Sequence, residues 1–208
     1  MTEVLLEQNQ QWKEAIDQQY PDFFKNSASE PQRPTAIWIG CSDSRVPEGV
    51  VTASLPGVIF AQRNIANQFS LTDDNAMSAL EYAVEHLHVN HIIICGHSKC
   101  GGCIAALEAA IQPPVGPKNA VDRWIAPIVE LARQMCLHEN NDENLEKLVK
   151  ANIVAQVEKV AKADVIREAW AHQRELYIHG WEYGLADGLL NDLNVTIGPD
   201  TSAGAFSQ

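Results

Sequence analysis

Residues 35–45 read TAIWIGCSDSR, and this stretch decides the fold. A short, mostly apolar run leads directly into a thiol, a carboxylate and a guanidinium. Residues 91–100, HIIICGHSKC, have the same design and end in an imidazole and a thiol. A continuous apolar run of this length is typical of a strand buried on both faces of a parallel sheet. The sequence therefore predicts two buried strands with chemically active side chains at their carboxyl ends.

Strand and helix signals alternate along the rest of the chain. Strands are expected at 35–40, 57–61, 92–95 and 176–179, with an edge strand at 194–197. Helices are expected at 2–19, 75–88, 101–111, 120–137 and 143–170, with a short helix after Pro21. This alternation predicts an α/β fold in which helices cover both sides of a mostly parallel central sheet. We expect a single domain over 1–208, with an N-terminal helical arm at about 1–30 and a loose tail at about 199–208.

Composition limits the classes of partner. The 208 residues are 46% hydrophobic and 20% charged, with a formal net charge of -12. The acidic balance argues against nucleic acids and anionic membranes, since both attract basic surfaces. The N-terminal residues lack the basic and apolar regions of a signal peptide, and no apolar run is long enough to span a bilayer. The five cysteines do not have disulfide-framework spacing, so we interpret the protein as soluble and cytoplasmic.

Three potential metal ligands follow the ends of the predicted strands. Cys41 comes directly after the first strand, and His97 and Cys100 come after the third. In a parallel sheet these ends share one edge, where ligands bind in open α/β folds. Two cysteines and one histidine are a known ligand set for catalytic zinc, with the fourth position left for water. Asp43 and Arg45 add a charged pair beside the expected site.

Simpler interpretations exist for each of these residues. Cys41 alone could be an ordinary buried thiol, and His97 with Cys100 could be incidental loop residues. The pair Asp43 and Arg45 could form a solvated salt bridge. Their joint placement at matching strand ends favours the metal site.

Two further features are weaker candidates for function. The string His86, His88 and His91 is interpreted as residues near a helix end, because helix positions two apart do not share a face. The pair Gly101-Gly102 could cradle a phosphate at a helix start. No complete phosphate-binding motif accompanies the pair, so we interpret it as a place where backbone packs closely near the metal.

The motifs C-x-D-x-R at 41–45 and H-x-x-C-G-G at 97–102 resemble those of the β-class carbonic anhydrases. The resemblance extends to the segments 63–67 and 178–184 and covers roughly residues 10–197. It implies that Cys41, His97 and Cys100 bind zinc, and that Asp43 and Arg45 are the catalytic pair.

A finer similarity points to one subgroup of that family. Trp38, Arg63 and Tyr183 fall where the subgroup has a non-catalytic bicarbonate pocket, and Val46 fits the same subgroup. The resemblance also implies a closed state in which Asp43 becomes a zinc ligand. Arg45 is expected to hold Asp43 away from the metal in the open state, because its planar donors suit a carboxylate.

The implied activity is the zinc-dependent, reversible hydration of carbon dioxide to bicarbonate and a proton, by hydroxide generated at zinc. Bicarbonate and pH would control the closure. Two alternatives remain open: a carbon disulfide or carbonyl sulfide hydrolase on the same scaffold, and a non-catalytic protein that binds zinc or bicarbonate. The resemblance also implies a homodimer or a dimer of dimers, with N-terminal helices that lie across the neighbouring subunit.

Overall fold

The structure, a computed structural model, describes residues 1–201. These residues divide into two compact units, one formed by Met1–Arg33 and the other starting at Pro34. The boundary falls close to the predicted end of the N-terminal arm, and the assignment of one domain to 1–208 stays a prediction. The predicted loose tail lies mostly in residues 202–208, which are outside the described residues.

The first unit consists of two helices, α1 at Thr2–Gln19 and α2 at Phe23–Ser29. The predicted helix over 2–19 is confirmed, as is the short helix after Pro21. The ring of Trp12 on α1 meets the edge of Phe24 on α2, with ring centroids 5.6 Å apart. This aromatic contact joins the two helices to each other.

The second unit is built on a five-stranded sheet. Its strands are β1 (Ala36–Cys41), β2 (Ile59–Asn64), β3 (His91–His97), β4 (Tyr177–Tyr183) and β5 (Leu190–Ile197). They lie in the order β2-β1-β3-β4-β5. All neighbours are parallel except β4 and β5, which are antiparallel. The predicted α/β fold with a mostly parallel sheet is therefore confirmed.

Within residues 34–201, six α-helices connect and cover the strands. They are α3 (Glu48–Val51), α4 (Asp74–Glu81), α5 (Gly101–Ala110), α6 (Ala120–Gln134), α7 (Asp142–Val160) and α8 (Asp164–Ala171). Three of them begin with a side chain that accepts a backbone N–H of the first turn: Asp73, Asn119 and Asn141. These caps explain why the helices start where polar residues precede apolar periodicity.

Two helix predictions require correction. The single helix predicted over 143–170 is wrong, because the chain leaves helical geometry at Ala163, whose ψ is 138°. This break lets Val160 on α7 and Ile166 on α8 both be fully buried. The α-helix predicted over 75–88 ends earlier. α4 stops at Glu81, and a π-helical turn, Tyr82–His86, follows it.

The two faces of the sheet are covered unequally. Isoleucines of β1, β3 and β4 pack with residues of α4 to α8 in one large core. The opposite face carries a smaller cluster around Trp38 and Ile93, to which α3 contributes Val51. Parallel strands need apolar residues on both faces, which explains why β1 is buried along its whole length. Within the part of the chain that the structure describes, no helix combines the length and apolar character needed to cross a membrane.

Candidate metal centre

The ends of β1 and β3 bring the three predicted ligands together. Cys41 is the last residue of β1, His97 is the last residue of β3, and Cys100 caps the start of α5. Their ligand atoms all lie within 4.8 Å of one another, and all three residues are buried. The predicted gathering of these residues at one sheet edge is confirmed.

The His97 ring is oriented as a metal ligand would be. Its Nδ1 lies 2.9 Å from the carbonyl oxygen of Ser98, so Nδ1–H donates there and Nε2 keeps its lone pair. Nε2 is buried and has no hydrogen-bond partner. A buried acceptor without a partner is unfavourable unless something binds it, and a metal ion would do so.

The two thiols also fit a cation. The interaction with Cys100, followed by burial, raises the pKa of the Cys41 thiol to about 12. The interaction with Cys103 contributes most to raising the pKa of Cys100 to about 12. Thiolates crowded in this way repel one another, and a divalent cation between them would offset that repulsion. Two thiolates and one imidazole therefore suit a metal with affinity for sulfur and nitrogen.

Asp43 lies beside this group and is held by Arg45. Nε of Arg45 donates to Oδ1 at 2.9 Å and Nη2 donates to Oδ2 at 2.7 Å. The backbone N–H of Arg45 also donates to Oδ1 at 2.9 Å. The guanidinium holds the pKa of Asp43 well below its usual range. Oδ2 lies 3.7 Å from Nε2 of His97. An ionised carboxylate therefore lies at the edge of the metal group, which is formed by Cys41, His97 and Cys100.

The three residues of the predicted bicarbonate pocket lie on neighbouring strands. Trp38 on β1 is fully buried, and Tyr183 at the end of β4 packs against the same cluster. Arg63 on β2 is the register partner of Gly40. A Cβ atom at Gly40 would lie 2.1 Å from Nε1 of Trp38, so the Trp38 ring covers Gly40. The indole nitrogen therefore lies over Gly40, whose neighbour on β2 is Arg63.

Arg63 also donates hydrogen bonds to the backbone of residues 41–43, which lie at and just after the end of β1. Its Nε donates to the carbonyl oxygen of Cys41 at 3.0 Å, and its Nη2 donates to that of Asp43 at 2.7 Å. Glu48, which sequence reasoning did not single out, lies 3.8 Å from Nε of Arg63. Nε1 of Trp38 and Oε2 of Glu48 are buried without a hydrogen-bond partner.

A strained turn supports the metal group from behind. Ala66 and Asn67 both have left-handed backbones, with φ of 59° and 45°. Nδ2 of Asn152 on α7 donates to the Ala66 carbonyl at 3.0 Å. Oε1 of Gln156 accepts the Phe69 N–H at 3.0 Å. The sequence signal for this support was a pair of amides four residues apart in the apolar stripe of α7, and sequence reasoning missed it.

The same turn packs on the glycines that follow Cys100. A Cβ atom at Gly102 would lie 2.9 Å from Cβ of Ala66 and 3.0 Å from Cγ2 of Ile65, whereas one at Gly101 would meet no atom within 4 Å. The close packing expected at the glycine pair is therefore found at Gly102. This contact joins the 65–67 turn to the start of α5, where Cys100 is placed.

Known proteins are similar to this chain in sequence and in fold. Residues 36–190 match the carbonic anhydrase family. The carbonic anhydrase of Emericella nidulans is 36% identical over 193 residues, which cover 92% of this chain and 82% of that protein. The carbonic anhydrase of Pseudomonas aeruginosa is 35% identical over 179 residues, covering 82% and 78%.

Solved structures agree with the sequence relatives. The β-carbonic anhydrase of Coccomyxa, solved with acetazolamide, superposes with a TM-score of 0.87 at 36% identity, covering 97% of this chain and 90% of that one. A tetrameric β-carbonic anhydrase of Sordaria macrospora gives 0.84 at 34% identity, covering 95% and 98%. The family match covers most of the chain, and the metal motifs lie within it. The chain therefore belongs to the β-class carbonic anhydrase family.

Proposed function

We propose that this enzyme binds zinc through Cys41, His97 and Cys100 and catalyses the reversible hydration of carbon dioxide to bicarbonate and a proton. The observation that carries the proposal is the buried group of two sulfurs and one free imidazole nitrogen within 4.8 Å. The Asp43 carboxylate at its edge, held by Arg45, adds the acceptor that the chemistry needs.

Each residue has a defined part in this chemistry. Bound zinc would supply Lewis-acid activation of water, which gives hydroxide near neutral pH. Asp43 accepts a hydrogen bond from the attacking oxygen and so directs its lone pair at carbon dioxide. Arg45 is a positioning residue, because its two donors keep Asp43 from turning toward the metal. The two thiolates would offset the charge of a bound divalent metal, so that water on it would be less acidic and would depend more on the assistance of Asp43.

A stopped-flow hydration assay tests the activity, with the chain assayed as purified, after removal of zinc by a chelator, and after zinc is restored. We expect hydration that is lost with zinc and recovered with it. Carbon disulfide and carbonyl sulfide, which are linear like carbon dioxide, serve as competing substrates in the same series. Faster sulfide release than hydration would identify the hydrolase alternative. No turnover of any substrate by the zinc-loaded protein would identify a binding protein.

We further propose that Trp38, Arg63 and Tyr183 form a bicarbonate pocket outside the catalytic site, which is the property of the subgroup. The unpartnered Nε1 of Trp38 supports this, because a buried N–H donor without a partner favours an acceptor such as an oxyanion. Arg63 supports it further, because its guanidinium also donates to the backbone of the Asp43 loop. An anion that binds Arg63 would compete with that contact and favour the closed state, in which Asp43 ligates zinc. Bicarbonate and low pH would then both reduce activity.

The remaining proposals concern assembly and location. We propose a homodimer or a dimer of dimers, supported by the tetrameric β-carbonic anhydrase of Sordaria macrospora. The exposed leucines of α1, Leu5 and Leu6, support the packing of the N-terminal helices on a neighbouring subunit. Free cysteines in all described positions support a cytoplasmic location. Sedimentation analysis of the full chain and of a chain beginning at Pro34 would show whether the first unit is needed for assembly.

A further inference from the structure

Two histidines lie side by side on the sheet, away from the metal centre. His91 begins β3 and is exposed, and His179 is the third residue of β4 and is half-buried. The parallel register places Tyr177 opposite His91 and His179 opposite Ile93. Alternation along the strands therefore puts both imidazoles on one face. Nδ1 of His91 and Nε2 of His179 are 3.1 Å apart.

The orientation of His179 is fixed from its other side. Its Nδ1 lies 3.1 Å from the hydroxyl oxygen of Thr196, its register partner on β5. When Nδ1–H donates to this hydroxyl, Nε2 directs its lone pair at His91. Burial, and then the neighbouring His91, lower the pKa of His179, while Asp192 acts in the opposite direction. A neutral imidazole whose second nitrogen is held by a polar partner is typical of a metal ligand.

The distance between the two nitrogens suits a bridging cation. Metal–nitrogen bonds of about 2.0–2.1 Å place two ligand nitrogens about 3.3 Å apart in a tetrahedral site and about 2.9 Å apart at a right angle. The observed 3.1 Å lies between these values. A cation can therefore replace the N–H···N contact of the metal-free pair without a change in the N···N distance, once the two rings turn so that both lone pairs converge beside the N···N line and the His91 proton passes from Nδ1 to Nε2.

We propose that His91 and His179 form a second metal site, a two-nitrogen chelate for a borderline divalent cation such as Ni²⁺, Cu²⁺ or Zn²⁺. Imidazole nitrogens suit these ions, and the exposure of His91 leaves the remaining positions to water. The formal net charge of -12 raises the local concentration of cations around the chain. The site does not depend on the proposed hydration activity.

Two tryptophans near the histidine pair provide a fluorescence signal for metal binding. The ring of Trp181 lies 6.3 Å from that of His179, and Trp38 lies 6.4 Å from Trp181. A paramagnetic ion at the pair would quench the fluorescence of these rings.

The test titrates Ni²⁺ into the untagged, zinc-loaded chain and follows bound nickel, retained zinc and tryptophan fluorescence. We expect one Ni²⁺ per chain to bind without loss of zinc, with quenching that follows occupancy. His91→Gln and His179→Gln should each weaken nickel binding by at least roughly tenfold, since each removes half of the chelate. Thr196→Val keeps both histidines but removes the partner of Nδ1, and should weaken binding by about tenfold.

The matched control is His86→Gln, which removes an exposed histidine whose ring is tilted by 40° against that of Tyr82. It should bind nickel like the parent chain. Retained zinc and an unchanged far-ultraviolet circular dichroism spectrum show that each variant is folded. The proposal is overturned if the His91 and His179 variants bind nickel like the parent, if nickel enters only by displacing zinc, or if none binds at about 1 mM free ion.

Discussion

Asp43 lies between Arg45, with which it pairs, and the predicted metal ligand His97. Its Oδ2 lies 2.7 Å from Nη2 of Arg45 and 3.7 Å from Nε2 of His97. Arg45 also donates twice to Oδ1. A carboxylate with this many charge-assisted and backbone bonds is held firmly. In this conformation Asp43 is paired with Arg45, and we expect that pairing to decide whether the carboxylate stays away from a bound metal.

Removal of the Arg45 side chain tests whether its pairing with Asp43 keeps the carboxylate away from a bound metal. In Arg45→Ala the pKa of Asp43 should rise toward its usual range, and the free carboxylate should turn toward zinc. We expect full zinc content with hydration reduced by at least roughly tenfold, equivalent to a change of ~1.4 kcal/mol in the barrier. Lys13→Ala, which breaks an exposed ion pair with Asp17, is the control. A hydration rate equal to that of the parent would mean that Arg45 is only a surface cation.

Replacement of either thiolate tests the ligands. Cys41→Ser and Cys100→Ser should each lose most of the zinc, because a neutral hydroxyl is a poor substitute for a thiolate. Cys136→Ser is the matched control, since Cys136 is exposed, and it should keep its zinc. Elemental analysis of the three purified variants measures this. Full occupancy in both ligand variants would remove the basis for the assignment.

Glu182 is a buried carboxylate that the proposed reaction does not use. It is only 8% exposed, and burial raises its pKa above the ordinary value, although Lys150 partly opposes this. The folded chain therefore holds this proton more tightly than the unfolded chain does, and stability falls as pH rises through the raised pKa. Glu182→Gln should increase the melting temperature relative to the parent at about pH 8 more than at about pH 5. The exposed Glu158→Gln should show no such difference, and equal gains at both pH values would contradict the expectation.

At the scale of elements, the sequence predicts the parts of the fold that depend on local pattern. Apolar runs identified the strands that position Cys41 and His97. The break at Ala163 was not predictable in this way, because no glycine or proline marks it and alanine favours helices. Val160 and Ile166, on either side of the break, are both fully buried, and we attribute the break to their packing. Tertiary packing thus overrides helix propensity there.

The support of the metal group is another feature that local pattern does not reveal. Asn152 and Gln156 look like polar interruptions of an apolar stripe. Their partners, the Ala66 carbonyl and the Phe69 N–H, are more than 80 residues away in sequence. Two left-handed residues in succession are costly, and persist where surrounding contacts fix them. Only the folded arrangement shows that α7 stabilises the turn beside Cys100.

The glycines at the start of α5 test this packing with adjacent positions. Gly102→Ala should lower the free energy of unfolding by about 1–3 kcal/mol, because its methyl group would overlap Ala66 and Ile65. Gly101→Ala is the matched control, since that methyl group meets open space and should change stability by less than about 0.5 kcal/mol. Chemical denaturation measures both. Equal stability of the two variants would mean that the 65–67 turn yields without cost.

At the scale of the whole molecule, the two faces of the sheet are covered unequally, and we assign them different roles. The face that packs on α4 to α8 forms the large core and holds the fold. The opposite face has the smaller cluster with Trp38, Trp181 and Tyr183, and it includes buried donors without partners. β1 carries Trp38 on this second face and ends at Cys41, so we expect a ligand bound beside Trp38 to influence the metal centre through β1 and its neighbour β2.

Arg63 is the link through which bicarbonate would act. It donates to the carbonyl oxygens of Cys41 and Asp43, so an anion bound to it would loosen the loop that carries Asp43. An effector shifts such an equilibrium only through unequal affinity for the two states. We expect activity that is low near neutral pH, rises steeply into the alkaline range as hydroxide competes with Asp43, and is inhibited by bicarbonate beyond product competition.

Trp38→Phe tests the proposed pocket separately from the hydrogen bonds by which Arg63 holds the loop that carries Asp43. It removes the unpartnered indole N–H while leaving an aromatic ring and both backbone contacts of Arg63, whereas Arg63→Ala removes those contacts as well. We expect Trp38→Phe to keep its zinc and its activity at high pH while losing at least part of the bicarbonate inhibition, with a pH profile shifted toward neutral pH. Arg63→Ala should lose the inhibition too, and Trp12→Phe in the first unit serves as the control for a tryptophan substitution. Hydration rates measured across pH, with and without bicarbonate, decide the matter. If both pocket variants fold, keep their oligomeric state and show the parent's pH profile and bicarbonate sensitivity, then Trp38 is a packing residue and closure at Asp43 is not controlled from this face of the sheet.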